Sequence, residues 1–211
     1  MKIDAPKITP DLPSRNFYDI FNSEELELET CEVVDATFEY EKTDRIRLYD
    51  VVFKNGSFMN TDFSQIDMTD VIFENCDLSN AKLNKSSIHR VIFRNCKLVG
   101  VDFTDSRFGN VKIIDSVLNF ALFGDSKFEK VLYLNSSLKG TDFYNCKFKK
   151  IQFQECQLDG ANYSETSLKG IDISTSTFDE LTIDIKDLRG CKVSSFQAIQ
   201  FATLLGLIIK D

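Results

Sequence analysis

The chain has 211 residues, 43% of them hydrophobic and 27% charged, with a formal charge of −8. That length suits one domain or two small ones, and that balance excludes a disordered tail or a membrane-embedded protein. Acidity on this scale argues against general affinity for nucleic-acid phosphates, so no direct nucleic-acid binding is expected.

The first predicted element is an N-terminal segment over residues 1–25. No apolar h-region follows Met1-Lys2-Ile3-Asp4-Ala5-Pro6, so the expectation is a cytoplasmic protein. Phe17, Tyr18, Ile20 and Phe21 follow a Pro-containing start and suit a cap.

From residue 26 to 193 the chain repeats every five residues. The column Leu48, Phe53, Phe58, Phe63, Met68, Phe73 continues apolar to Val193 without a break, and it takes fourteen of the nineteen Phe. Two residues earlier runs a column of small or β-branched side chains, among them Val51, Gly56, Thr61, Ile66, Val71 and Cys76. A period of five fits neither a helix nor a flat strand, so the chain must turn at every fifth residue. The small column becomes β-branched at Val51, Val71, Val91, Val111, Val131, Ile151 and Ile171, which makes four pentapeptides one turn of a square coil. Stacked at strand spacing, this gives about eight and a half rungs and a rod about 40 Å long. The expected fold is all-β, a quadrilateral parallel β-helix, and its ends need covers. Glu41-Lys42-Thr43-Asp44-Arg45 breaks both columns and is expected to bulge outward, since polar side chains in an apolar core are costly. Val52, Ile72, Ile92 and Leu132, with Ile114 and Leu134 nearby, form an apolar outer ridge. Such a ridge is either covered by the N-terminal segment or used by a partner.

Residues 194–211 form the last element. Ser194 or Ser195 can cap a short helix. Phe196, Ile199, Phe201, Leu204 and Leu205 make that helix apolar nearly all round, and Leu207 extends the surface. One side can close the rod and the other can meet a second copy, so a homodimer is expected.

All six cysteines lie on the small column, with no CxxC spacing, and read as buried small side chains in place of a metal cluster or disulfide framework. His89 is expected at the surface beside Arg90. With no second histidine, no nucleotide or hydrolase motif and no metal-ligand spacing, neither an enzyme nor a cofactor is expected.

Units such as Ala161-Asn162-Tyr163-Ser164-Glu165 and Thr141-Asp142-Phe143-Tyr144-Asn145 resemble the pentapeptide repeat family, whose fold is a right-handed quadrilateral β-helix. The ending Gln197-Ala198-Ile199 … Leu205-Gly206-Leu207 and the length resemble its quinolone-resistance (Qnr) subgroup, most closely the Gram-positive chromosomal members. That resemblance implies a dimer that binds bacterial type II topoisomerases, DNA gyrase first and topoisomerase IV second, mimicking duplex DNA and protecting the enzyme from fluoroquinolones. Other branches of the subgroup carry long projecting loops; the unbroken register here leaves no room for them.

One face of the coil carries nine acids against four bases, and the next carries seven acids against eleven bases. The candidate partner-binding acids on the first are Asp62, Asp102, Asp105, Asp125, Asp142, Glu165 and Asp184. Two readings of that face stand: a solvated surface that discourages aggregation, or an anionic stripe offered to a basic groove. A repeat scaffold for an unrelated protein partner is the alternative function.

Overall fold

The computed structural model describes residues 1–22, 24–202 and 206–210. Its backbone shows how the chain turns every fifth residue. Asp50, Asn55, Asn60 and Gln65 have φ of 56°, 56°, 56° and 64°, one left-handed residue at each corner of a square. A Cβ is disfavoured there, and Gly, Asn and Asp tolerate the conformation best. The corner column is accordingly rich in Asn and Asp, which explains why so few Gly and Pro suffice. The corner amides also bond along the rod: Asn75 Nδ2 donates to Asn55 Oδ1 at 3.1 Å, and Asn95 Nδ2 to Asn75 Oδ1 at 2.8 Å.

Seven strands result: β1 (Glu27–Val34), β2 (Arg47–Lys54), β3 (Asp67–Glu74), β4 (Ser87–Arg94), β5 (Arg107–Ile114), β6 (Lys127–Leu134) and β7 (Lys147–Gln154). They lie parallel and in chain order, each bent at a left-handed residue so that it serves two faces. The register is the twenty-residue repeat: Val51 pairs with Val71 and Val71 with Val91. The remaining two faces are held by single bridges such as Ser57 to Asp77 and Asp62 to Lys82. This is the expected right-handed quadrilateral β-helix, with one short helix, α1 (Ser195–Ala202), at its C-terminal end. Among the described residues no helix is long and apolar enough to cross a membrane.

Inside, the large column forms ring stacks. Phe53 lies 4.8 Å from Phe73, Phe108 4.7 Å from Phe128, and Phe123 4.9 Å from Phe143, all within 9° of parallel. Rung spacing imposes that distance, which suits offset stacking. The small column does more than fill space. Ser106 and Ser126 donate their hydroxyls to the carbonyls of Leu83 and Phe103, and Thr166 does the same to Phe143. The Cys96 and Cys146 thiols point at Phe73 and Phe123 carbonyls in the same way. These inward hydroxyls and thiols are thus satisfied by the rung beside them, whereas the buried Tyr133 and Tyr163 hydroxyls have no partner among the described residues. All six cysteines are free, five of them buried and Cys191 half-buried.

The Glu41–Arg45 unit does not bulge. Thr43 N–H bonds to the Asp62 carbonyl at 2.9 Å, Lys42 bridges Asp62, and Thr43 is buried on the inward column. Its neighbours in space explain the tolerance: this rung lies at the N-terminal end, where Phe17 and Ile20 from the 3-10 helix Phe17–Asn22 close the core. Phe17 meets Phe38, Phe53, Phe58 and Phe63 within 6.1 Å.

The N-terminal segment also covers the ridge. Thr9 N–H bonds to Asp50, Lys7 N–H to Asp70 and Asp4 N–H to Asn110, so the strap descends one corner of the rod across β2 to β5. Asp4 pairs with Lys130 in β6 at 3.2 Å. Ile3, Pro6, Ile8 and Leu12 are half-buried along it, and the outward side chains of Val52 and Ile92 are only 9% and 8% exposed.

At the other end α1 turns two glutamines to the last rung, with Phe201 packed beside them against Phe178. Gln197 is buried and donates to the Ile173 and Ser176 carbonyls at 2.9 and 2.7 Å; Gln200 donates to Phe178 at 2.8 Å. A solenoid's last rung has carbonyls with no next rung to bond, and two glutamines supply the donors. Ser194 caps the helix as expected: its Oγ accepts from Gln197 N–H at 3.2 Å while Gln197 Oε1 accepts from Ser194 N–H at 2.9 Å.

Candidate functional site

The coil gathers some of the candidate acids and separates others. Asp62, Asp102 and Asp142 share one outward column, but the register interleaves them: Lys42, Asp62, Lys82, Asp102, Leu122, Asp142. Each also holds its own turn. Ser64 donates its N–H and hydroxyl to Asp62, Thr104 does so to Asp102, and Tyr144 N–H donates to Asp142. The Ser64 hydroxyl holds the Asp62 carboxyl below the usual range, against a desolvation penalty. Asp105 and Asp125 occupy left-handed corners on successive rungs and are exposed; Asp125 accepts from Asn145 at 2.7 Å. Glu165 and Asp184 sit near the C-terminal end and share Lys186, at 3.0 and 3.6 Å, which offsets one of their two charges. The anionic centre is therefore Asp102, Asp105, Asp125 and Asp142, and Asp62 lies between two lysines.

The adjoining face is cationic. Arg107, Lys127 and Lys147 are register partners on β5, β6 and β7. They border a shallow groove whose floor opens at Gly109, where a Cβ would meet His89 Nδ1 at 2.8 Å. His89 is half-buried against that glycine, not free at the surface as its position suggests. Burial and the adjacent Arg90 lower its pKa.

Of the candidate interface residues, Phe196, Ile199 and Leu207 are exposed, whereas Phe201 turns inward and meets Phe178 at 5.2 Å. Leu204 and Leu205 lie outside the described residues.

Sequence reasoning missed one feature. Val117, Phe120 and Leu122 are exposed around one corner beside the anionic centre, and Tyr144 is exposed at the far end of the adjoining face. The signal was available, because Phe120 is one of five Phe off the inward column.

Comparison with known proteins fits this geometry. The family model described as pentapeptide repeat region matches residues 86–163, and that described as pentapeptide repeats (8 copies) matches 46–84. The chain belongs to the pentapeptide repeat family. Among solved structures it resembles full-length QnrB1, a plasmid-mediated fluoroquinolone resistance protein, with 21% identity over 92% of this chain and 95% of that one and a TM-score of 0.51. A trypsin-treated QnrB1 gives the same identity and TM-score over 87% and 90%. HetL, a pentapeptide repeat protein involved in heterocyst differentiation regulation in the cyanobacterium Nostoc, is a looser likeness, with 12% identity over 85% and 93% and a TM-score of 0.42. At these identities the likeness is one of fold. No curated protein sequence matches the chain.

Proposed function

We propose that this pentapeptide repeat protein binds a bacterial type II topoisomerase, DNA gyrase first and topoisomerase IV second, and protects it from fluoroquinolones. The observation that carries the reading is the cluster Asp102, Asp105, Asp125 and Asp142, gathered by the register on one side of a stiff rod. A basic groove built for duplex DNA is the complementary surface. Charge mimicry would be partial, since B-DNA carries one negative charge per about 1.7 Å of axis. Rod width and straightness supply the rest. The fold shared with QnrB1 supports the reading.

The active unit in this reading is a dimer joined at the C-terminal end. Phe196, Ile199, Ile185 and Ile208 leave an apolar surface there that a twofold mate would cover.

A gyrase supercoiling assay with ciprofloxacin, titrating in the purified protein, tests the function. Restored supercoiling supports it. No effect at any concentration favours a scaffold for an unrelated protein partner.

A further inference from the structure

The exposed apolar residues beside the anionic cluster are exceptions to the repeat. Away from the ridge under the strap the outward columns are mostly polar, and four of them carry an apolar side chain on two adjacent rungs in the middle of the rod. The corner column reads Tyr40, Asn60, Asn80, Gly100, Phe120, Gly140, Gly160, with a second exposed aromatic, Tyr40, at the N-terminal end of the rod. The next reads Asp62, Lys82, Asp102, Leu122, Asp142, Asn162. Val117 interrupts Asp77, Lys97 and Ser137; Tyr144 interrupts Thr104, Gly124 and Ser164. All four side chains are exposed, so the core gains nothing from them.

Phe120 is the exception in the middle of the rod, as Tyr40 is at its N-terminal end. It has a φ of 61°, the left-handed region where a bulky side chain is strained, and it is 65% exposed. Its register neighbours Gly100 and Gly140 share that conformation without a side chain, with φ of 64° and 62°. The ring lies over Gly140, where a Cβ would come within 2.7 Å of it. The corner is thus arranged to hold an aromatic ring outside the fold.

Asp102 and Asp142 flank Leu122 in the register, and Asp125 receives Asn145, the residue after Tyr144. On the other side Lys139 stacks on Asn119 beside the ring and Lys97 flanks Val117 in the register, so the acids line only the Leu122 side. An exposed aromatic centre with acids along one edge and lysines along the other has the anatomy of a protein-binding hot spot. The acids repel nucleic-acid phosphates and anionic lipid alike.

We infer that Phe120, with Val117 and Leu122 on either side of it and Tyr144 on the next rung, anchors the rod in an apolar pocket of a protein partner that is lysine- and arginine-rich where it meets Asp102 and Asp142. The inference rests on the topoisomerase reading and adds to it a contact that does not depend on charge.

The test is Phe120→Asn, which installs the residue found at Asn60 and Asn80, measured by melting and by binding to immobilised gyrase at several salt concentrations. The expected result is an unchanged or higher melting temperature, an affinity at least tenfold lower, and an unchanged slope of affinity against salt. Phe120→Gly should behave alike. A wild type that does not bind gyrase overturns the topoisomerase reading together with this contact. Wild-type binding that Phe120→Asn leaves intact overturns this inference alone, and so does unfolding of both variants.

Discussion

Arg90 holds both oxygens of Asp70: Nε meets Oδ1 and Nη2 meets Oδ2, each at 2.6 Å. The same Oδ1 accepts the Lys7 N–H at 2.8 Å, so one carboxylate ties adjacent rungs to the strap. Its side chain is 1% exposed and that of Arg90 19%. Desolvation alone would raise the Asp70 pKa; the bonds from Arg90 and Lys7 outweigh it and lower the value below 3.8.

Removing that carboxylate should free the strap. Asp70→Ala leaves a half-buried guanidinium without its partner and should cost about 2–4 kcal/mol. It should also raise binding of a hydrophobic dye as Val52 and Ile92 are uncovered. Because the folded pKa is depressed, the stabilisation is present above the ordinary carboxylate value and is lost as pH falls through the lowered one. Acid titration of the wild type should therefore expose the ridge only below about pH 4. A variant with wild-type dye binding and melting would refute the anchor.

The ring stack should be far more sensitive than the acidic surface. Phe103 is fully buried, 5.4 Å from the Phe123 ring centre, so Phe103→Ala should lose about 3–5 kcal/mol. Asp105→Ala, on an exposed corner, should change stability by less than about 1 kcal/mol. Chemical denaturation separates the two, and equal midpoints would refute the inward column.

The buried thiols should be inert. Burial pushes Cys31 and Cys156 up to about 11 and Cys146 up to about 12, against an ordinary 9.0. Little thiolate of these three exists at neutral pH, so a disulfide reagent should titrate them slowly in the native protein and at once when it is denatured; Cys76, whose pKa is lowered by the Cys96 thiol, is the exception. Groups with raised folded values stabilise fully below 9.0, and that contribution fades as pH climbs towards 11 to 12. Melting temperature should accordingly fall across that alkaline window. Reductant should not change it at neutral pH.

The two faces of α1 should separate stability from assembly. Gln197→Ala strands two carbonyls of the last rung and should cost about 1–3 kcal/mol. Phe196→Asp, on a side chain 69% exposed, should leave the melting temperature nearly unchanged and convert the dimer to monomers in light scattering. A wild type at monomer mass at micromolar concentration would contradict the dimer.

The inward half of this protein was legible in its sequence, because burial writes directly into residue type. The Phe column, the small column and the twenty-residue register all reappear in the pairing of Val51 with Val71 and the stacking of Phe53 on Phe73. The outer half was less legible, because a charge on an outer column says nothing about its partner. Asp62 is interleaved with Lys42 and Lys82, and Glu165 with Asp184 shares Lys186, relationships set by stacking and invisible along the chain. The ends misled for a different reason. Thr43 is polar, yet stays in the coil because the cap and the backbone register hold its rung. The C-terminal helix reads as apolar nearly all round, yet Gln197 is the residue that closes the rod.

The central claim is that the anionic cluster contacts gyrase, and one comparison tests it directly. Asp102, Asp105, Asp125 and Asp142 should be replaced together by Asn, and the variant compared with wild type for ciprofloxacin-challenged supercoiling at several salt concentrations. Asn can still accept the turn bonds, as Asn162 does from Ser164 at 3.0 and 2.7 Å, so the rod should stay folded. The account predicts wild-type protection that weakens as salt rises, and a variant at least several-fold less protective with a flatter salt response. A folded quadruple variant that protects like the wild type at every salt concentration would contradict it.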